Sequence, residues 1–164
     1  DRSLREGGEC TEHASALACE DACSQLESFR SAPVTNGGRA YSRYGAKGAT
    51  GEAVAGFPGA LYCFSRLIHY RQKGCEDAAA LALCDSMTEL EDTNLLHRGG
   101  PEGLGNVRAC ASRISAMPPE ERINELYVMD RDLTDRGLSP GGSADMLALA
   151  LLLERWQALS VSCV

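Results

Sequence analysis

Apolar positions along the chain recur at helical spacing, and the strict alternation of a half-buried strand is nearly absent. Residues from about Glu9 to Phe29 form a polar amphipathic pattern that predicts a helix. Residues 31–56 are rich in glycine and show no clear period, so a loop is expected there. Leu61, Phe64, Leu67 and Ile68 then give the i, i+3, i+4 spacing of a buried helical face, closing near Gly74. The Ala- and Leu-rich stretch from Glu76 to about Asp92 predicts another helix. Pro101 stands where a proline opens a helix, which runs toward Ala116. Pro118 and Pro119 open the next, with Ile123, Leu126, Tyr127 and Leu133 expected inward and Gly137 past its end. Ser139-Pro140 starts the last, and Met146 to Leu153 is apolar on nearly all sides, as in a helix central to a core. The pattern predicts an all-α fold, a compact bundle of about six helices with a Gly-rich basic loop.

Length and charge narrow this picture. The chain has 164 residues, 44% hydrophobic and 24% charged, which suits one domain over residues 1–164 with a core of its own. Sixteen basic against 23 acidic side chains give a net charge of −7, which argues against general nucleic-acid binding. No apolar run approaches the ~18 residues of a membrane span, and no signal peptide is visible. The eight cysteines show no Cys-x-x-Cys and no grouped histidines, which favours reduced thiols and a cytoplasmic location over a disulfide scaffold or a zinc site. The chain begins at Asp1 rather than methionine, so a trimmed or partial chain is expected.

Against this acidic background, Ser28 to Gly51 contains no carboxylate while Arg30, Arg39, Arg43 and Lys47 carry positive charge among several glycines. Backbone N–H groups freed by glycine, together with guanidinium forks, suit a polyphosphate; a solvated loop is the plainer alternative. Asp85, Glu89 and Asp92 are spaced by four and three, which on one helix would align them into a carboxylate stripe. Such a stripe is costly without a cation, and Mg²⁺ shared with substrate phosphates is the natural candidate, against an exposed acidic face. Asp92 also opens the run Asp92-Thr93-Asn94-Leu95-Leu96-His97-Arg98-Gly99-Gly100, which gathers a carboxylate, an amide, an imidazole and a guanidinium beside a Gly-Gly turn. Finally, Ser139-Pro140-Gly141-Gly142-Ser143-Ala144-Asp145 leads into the most apolar helix. A Gly-rich turn at a helix N-terminus suits an anion, although Ser143 and Asp145 also suit a simple cap. It is not a Walker A loop, since no Gly-Lys-Ser/Thr follows.

The Asp92–Gly100 run continuing through Pro101-Glu102-Gly103-Leu104, and Leu138-Ser139-Pro140-Gly141-Gly142-Ser143-Ala144-Asp145-Met146-Leu147-Ala148, closely resemble blocks of the triphosphoribosyl-dephospho-CoA synthase family, the CitG and MdcB proteins. Arg43-Tyr44-Gly45-Ala46-Lys47-Gly48-Ala49-Thr50-Gly51-Glu52-Ala53 with Ala55-Gly56-Phe57-Pro58 looks like a third block in the expected order. The resemblance implies an all-helical transferase that joins ATP to 3′-dephospho-CoA and releases adenine. Its product would be the prosthetic-group precursor for the acyl carrier protein of citrate lyase or malonate decarboxylase. Under that implication, Arg39, Arg43, Lys47 and Arg98 with Mg²⁺ would meet the triphosphate. Asn94, Gly99, Gly100 and the Ser139, Gly141, Gly142, Ser143, Asp145 turn would help hold substrate. A carboxylate is expected to stabilise an oxocarbenium-like ribose or act as base, with Asp92 and Glu52 as candidates. His97 is the expected proton donor to adenine, and Asp92 with Glu89 the expected metal ligands. Complete members also carry an N-terminal half with a Pro-Lys-Pro-Gly-type segment and a Thr-His-type block, and neither is present here. Catalysis would then need that half, in the same polypeptide or as a second chain. Two alternatives stay open: a non-catalytic helical domain that binds nucleotide or a partner, and a Mg²⁺-dependent nucleotide hydrolase.

Overall fold

A computed structural model describes residues 35–162 together with Ser24, so the helix expected over Glu9–Phe29 lies outside the described residues except at that one helical position. The described residues form seven helices and no strand. The chain divides into two compact units, Asp1–Phe57 and Pro58–Val164.

In the first unit, the expected Gly-rich loop is instead two short helices, α1 (Asn36–Tyr44) and α2 (Gly48–Val54). Capping overrides weak propensity here. The Thr35 hydroxyl accepts from the Gly38 N–H at 3.0 Å, and Gly45, at φ 71°, closes α1 through its N–H to the Tyr41 carbonyl. The buried positions of α1 are Gly38 and Ala40, and α2 buries none, so no stripe of large apolar residues marks either helix.

The second unit holds α3 (Pro58–Gln72), α4 (Ala78–Ser86), α5 (Thr93–Ser115), α6 (Pro119–Asp135) and α7 (Gly141–Ser162). Its core joins Cys63, Leu67 and Tyr70 of α3 to Ala78, Leu81 and Ala82 of α4 and Ala150 of α7. The buried stripe of α3 is Ala60, Cys63, Leu67 and Tyr70, rotated from the expected face, and Leu61 is 54% exposed. The small side chain of Cys63 lets α4 come close, and its thiol approaches the Ala82 carbonyl at 3.9 Å. Tyr127 likewise turns outward, at 67% exposure, while α6 buries Arg122, Met129 and Leu133. Among the described residues, the last helix is buried at Ser143, Met146 and Ala150, while Leu152, Trp156 and Leu159 are exposed, so it is not apolar-packed on all sides.

Two boundaries differ from expectation. α4 stops at Ser86, where the Thr88 hydroxyl and N–H both turn back onto the Asp85 carbonyl. α5 begins at Thr93 and is interrupted at Gly100, after which Pro101 starts its longer stretch. Asp85, Glu89 and Asp92 therefore belong to a helix, a turn and a cap, and the expected stripe on one helix face does not exist.

Asp85, 4% exposed, is instead the hub of a buried polar network. It accepts from Arg66 Nε at 2.6 Å, Tyr70 Oη at 2.7 Å, Ser115 Oγ at 2.7 Å and Arg122 Nη1 at 3.2 Å. Four donors from α3, α5 and α6 thus converge on one carboxylate of α4, which satisfies a charge that would be untenable alone. Burial, then the hydrogen bond to Asp85, raises the Tyr70 phenol above its ordinary 10.0. Burial likewise raises the Cys63 and Cys84 thiols above 9.0. In each case the folded state holds the proton more tightly, so the stabilisation is complete below the ordinary value and is lost as pH rises through the raised one. Urea midpoints measured across a pH series spanning 9.0 and 10.0 are expected to fall steadily on the alkaline side. A flat profile would show that these three groups are not held as described.

Candidate functional site

The centre of the site is a carboxylate with no unused acceptor direction. Asp92, 1% exposed, takes extended backbone angles and caps α5. Its Oδ1 accepts from the Asn94 N–H at 3.0 Å and the Leu95 N–H at 3.2 Å. Its Oδ2 accepts from the Ser143 N–H at 2.8 Å and the Ser143 hydroxyl at 3.0 Å, across 51 residues of sequence. One side chain thereby satisfies orphan donors at the N-termini of both α5 and α7, and its charge sits at the positive end of two helix dipoles. Ser143 is fully buried beneath it.

Close backbone approach makes this junction possible. A Cβ on Gly141 would lie 1.9 Å from Asn94 Nδ2, and one on Gly142 would lie 3.2 Å from Asp92 Cγ. Farther along, Gly99 faces Leu138, whose Cδ2 would sit 2.8 Å from an added Cβ. Arg98 Nη1 donates to the Gly137 carbonyl at 3.1 Å. The Asp92–Gly100 and Ser139–Asp145 segments are therefore brought together on the second unit. Asn94, Gly99, Gly100, Gly141 and Gly142 are half-buried, and His97, Arg98, Ser139 and Asp145 stand exposed around them. At Gly100, φ 63° and ψ −170° place the backbone in a region that is essentially closed to other residues. Gly100→Ala is expected to cost about 1–3 kcal/mol and to disturb the start of the Pro101 stretch. A denaturant melt checks this, and an unchanged midpoint would mean that the break is not needed.

The other expected residues lie elsewhere. Arg39 and Arg43 are exposed on α1, Lys47 is exposed at the N-cap position of α2, and Glu52 is half-buried on α2, all in the first unit. The Arg43 guanidinium lies 5.3 Å from the centre of the Tyr44 ring. Glu89 is exposed in the turn before Asp92, and its carbonyl accepts from Arg108 Nη2 at 2.9 Å. Among the described residues, no three His, Cys, Asp or Glu side chains are grouped as a metal cluster. Asp92 and Glu89 do not fit as a Mg²⁺ pair. The lone pairs of Asp92 are engaged within a buried junction, whereas Glu89 sits on an exposed turn. Sequence reasoning missed the Leu138 wedge and the Arg98–Gly137 tie, which carry no local signal. The capping role of Asp92 was signalled by its type and its place before an apolar run.

A family model described as ATP:dephospho-CoA triphosphoribosyl transferase matches residues 9–163. A probable 2-(5″-triphosphoribosyl)-3′-dephosphocoenzyme-A synthase of Albidiferax ferrireducens is 39% identical over 138 residues, covering 79% of this chain and 45% of the relative. The synthase of Pectobacterium atrosepticum is 39% identical over 143 residues, covering 84% of this chain and 46% of its own length. A probable synthase of Pseudomonas fluorescens is 33% identical over 164 residues, covering 94% and 54% respectively. The chain thus spans about half the length of the curated relatives it matches. No solved structure matches it. A match running almost the length of the chain, through both segments that Asp92 ties together, places the chain in the CitG family of ATP:dephospho-CoA triphosphoribosyl transferases.

Proposed function

We propose that this chain carries the nucleotide-holding part of a glycosyl transfer in which the triphosphoribosyl group of ATP moves to the 2′-hydroxyl of 3′-dephospho-CoA. The bond between ribose C1′ and adenine breaks, a bond from C1′ to the 2′-oxygen forms, and the hydroxyl proton ends on the departing adenine. The observation that carries the reading is the Asp92 junction, which holds the N-termini of α5 and α7 side by side next to Arg98. Asp92 takes up the Asn94, Leu95 and Ser143 N–H groups, so the phosphates of either substrate are met by the half-buried Gly141–Gly142 start of α7 and the exposed Arg98 guanidinium. In this reading Asp92 is a positioning residue, because its oxygens are spent on the fold. His97, exposed one residue before Arg98, is the group available to protonate adenine. Mg²⁺ is the counter-ion that ATP brings, supplying neutralisation of the triphosphate, and Asp145 is an exposed carboxylate near the start of α7. The reading rests on residues of the second unit alone.

The test is adenine release from ATP, followed chromatographically with and without dephospho-CoA. Release is expected only when both are present, with Arg98→Ala raising the apparent KM for nucleotide about tenfold. Adenine formed from ATP alone would point to hydrolysis instead. The half-length match to the relatives favours one further reading, a nucleotide-binding part that turns over only with the remainder of the family's chain. It would show as ATP binding without adenine release.

A further inference from the structure

A hollow lies between α4 and α6 and is lined also by Leu138, Ser139 and Pro140. Its larger part encloses about 300 Å³ and continues, through shared walls at Ala80, Leu126 and Asp130, into a second hollow of about 190 Å³. Leu83, Met87, Met129 and Leu133 make an apolar wall in the larger part. Asp130, Thr134 and Ser139 bring the polar atoms, and no basic side chain lines either part among the described residues. Leu138 belongs to the lining as well, and the other side of the same residue meets Gly99. The hollow therefore abuts the segment that carries the proposed phosphate contacts.

We infer that this trough holds the pantetheine arm of dephospho-CoA, an inference that rests on the transferase reading above. The chemistry selects among the parts of the two substrates. Phosphates are excluded, because the lining offers a carboxylate and no cation. Adenine is a flat ring system, and the larger part offers no aromatic face for it. A neutral, linear arm fits: its paired methyl groups meet Leu83, Met129 and Leu133, and its amide N–H groups are met by the Asp130 carboxylate and Thr134 hydroxyl. In dephospho-CoA that arm leaves the diphosphate directly. A diphosphate held at the α7 N-terminus thus sends it past Ser139 and Pro140 into the trough.

ADP is dephospho-CoA without the arm, so calorimetric titration of the two against the same chain isolates what the arm contributes. Dephospho-CoA is expected to bind about tenfold more tightly than ADP, in line with burying a few methylenes. Ala80 is exposed at the lip of the trough, so Ala80→Trp blocks it without entering the core. This variant is expected to erase the difference while leaving ADP affinity and the melting temperature as they were. Asp130→Ala, also at an exposed position, is expected to remove part of it. Equal affinity for the two ligands would overturn the inference and leave the transferase reading standing. So would a preference for dephospho-CoA that survives Ala80→Trp. Failure of the wild-type chain to bind either ligand would overturn both.

Discussion

Asp85→Ala is expected to cost about 3–5 kcal/mol, enough to unfold a large fraction of the second unit under conditions where the wild type is stable. Removing the carboxylate leaves Arg122, only 7% exposed, as a buried cation without its anion. It also strips the Tyr70 and Ser115 hydroxyls of the acceptor they donate to. The cost comes mainly from these stranded groups rather than from the lost attraction itself. Arg66→Ala is expected to cost far less, about 1 kcal/mol, because its side chain is 31% exposed and water can replace part of what it offers. Urea unfolding of the two variants checks the contrast. An Asp85→Ala midpoint close to that of Arg66→Ala would show that the network does not brace α3, α4, α5 and α6 as drawn. A double-mutant cycle between Asp85 and Arg122 then separates their coupling from the cost of an empty site.

The history of Asp85 shows where sequence reading runs out. Its spacing to Glu89 and Asp92 is helical, and the intervening Met87 and Leu90 keep the apolar pattern going through a turn. The helix tightens into i→i−3 bonds at Thr88 and Glu89, with the Thr88 hydroxyl on the Asp85 carbonyl, and such local competition leaves no periodic trace. Its partners lie 19 residues away at Arg66 and 37 away at Arg122, so no local window pairs them. By contrast, the helix starts at Pro101 and Pro119 and the stop at Gly137 were legible, because each depends on the backbone limits of a single residue. The all-α class was legible for the same reason of locality. The face each helix buries was less so: in α3 Ala60 is buried and Leu61 is 54% exposed, while Cys63, Leu67 and Tyr70 make the face packed on α4.

The site was legible in its parts but not in its roles. The sequence marks Asp92 for metal or proton chemistry and the Ser139–Asp145 turn for an anion, and the fold joins the two segments through the Asp92 carboxylate. A residue type suited to metal binding or proton transfer turned out to be fully engaged with four donors. Spacing cannot reveal that, because two of those donors come from a helix 51 residues away. The glycines carry the complementary half of the message. Gly141 and Gly142 are needed because Asn94 and Asp92 occupy the space a side chain would fill.

Asp92→Ala should therefore be the most damaging change in the site, and its damage should be structural before it is chemical. It leaves the N–H groups of Asn94 and Leu95 and both donors of Ser143 without their acceptor at a nearly closed junction. Loss of a helix cap costs about 0.5–2 kcal/mol, and loss of buried bonds to a charged group adds about 1.5–3 kcal/mol. A total of several kcal/mol is expected. Ser143→Ala removes one hydroxyl donor and keeps its N–H, so about 1 kcal/mol is expected there. Asp92→Asn falls between, since its amide can still cap α5 through oxygen but presents N–H groups to a Ser143 that only donates from its backbone. Denaturant midpoints should order as Asp92→Ala lowest, then Asp92→Asn, then Ser143→Ala. Hydrogen exchange adds a readout that a general loss of stability does not mimic. At matched distance below the midpoint, the amides of Leu95 and Ser143 should lose protection ahead of those in the α3 and α4 core. If Asp92→Asn keeps wild-type stability and local protection while losing adenine release, Asp92 acts on substrate and the positioning role assigned to it is wrong. If stability, local protection and nucleotide affinity fall together through the series, the carboxylate works by holding two helix ends where the phosphates need them.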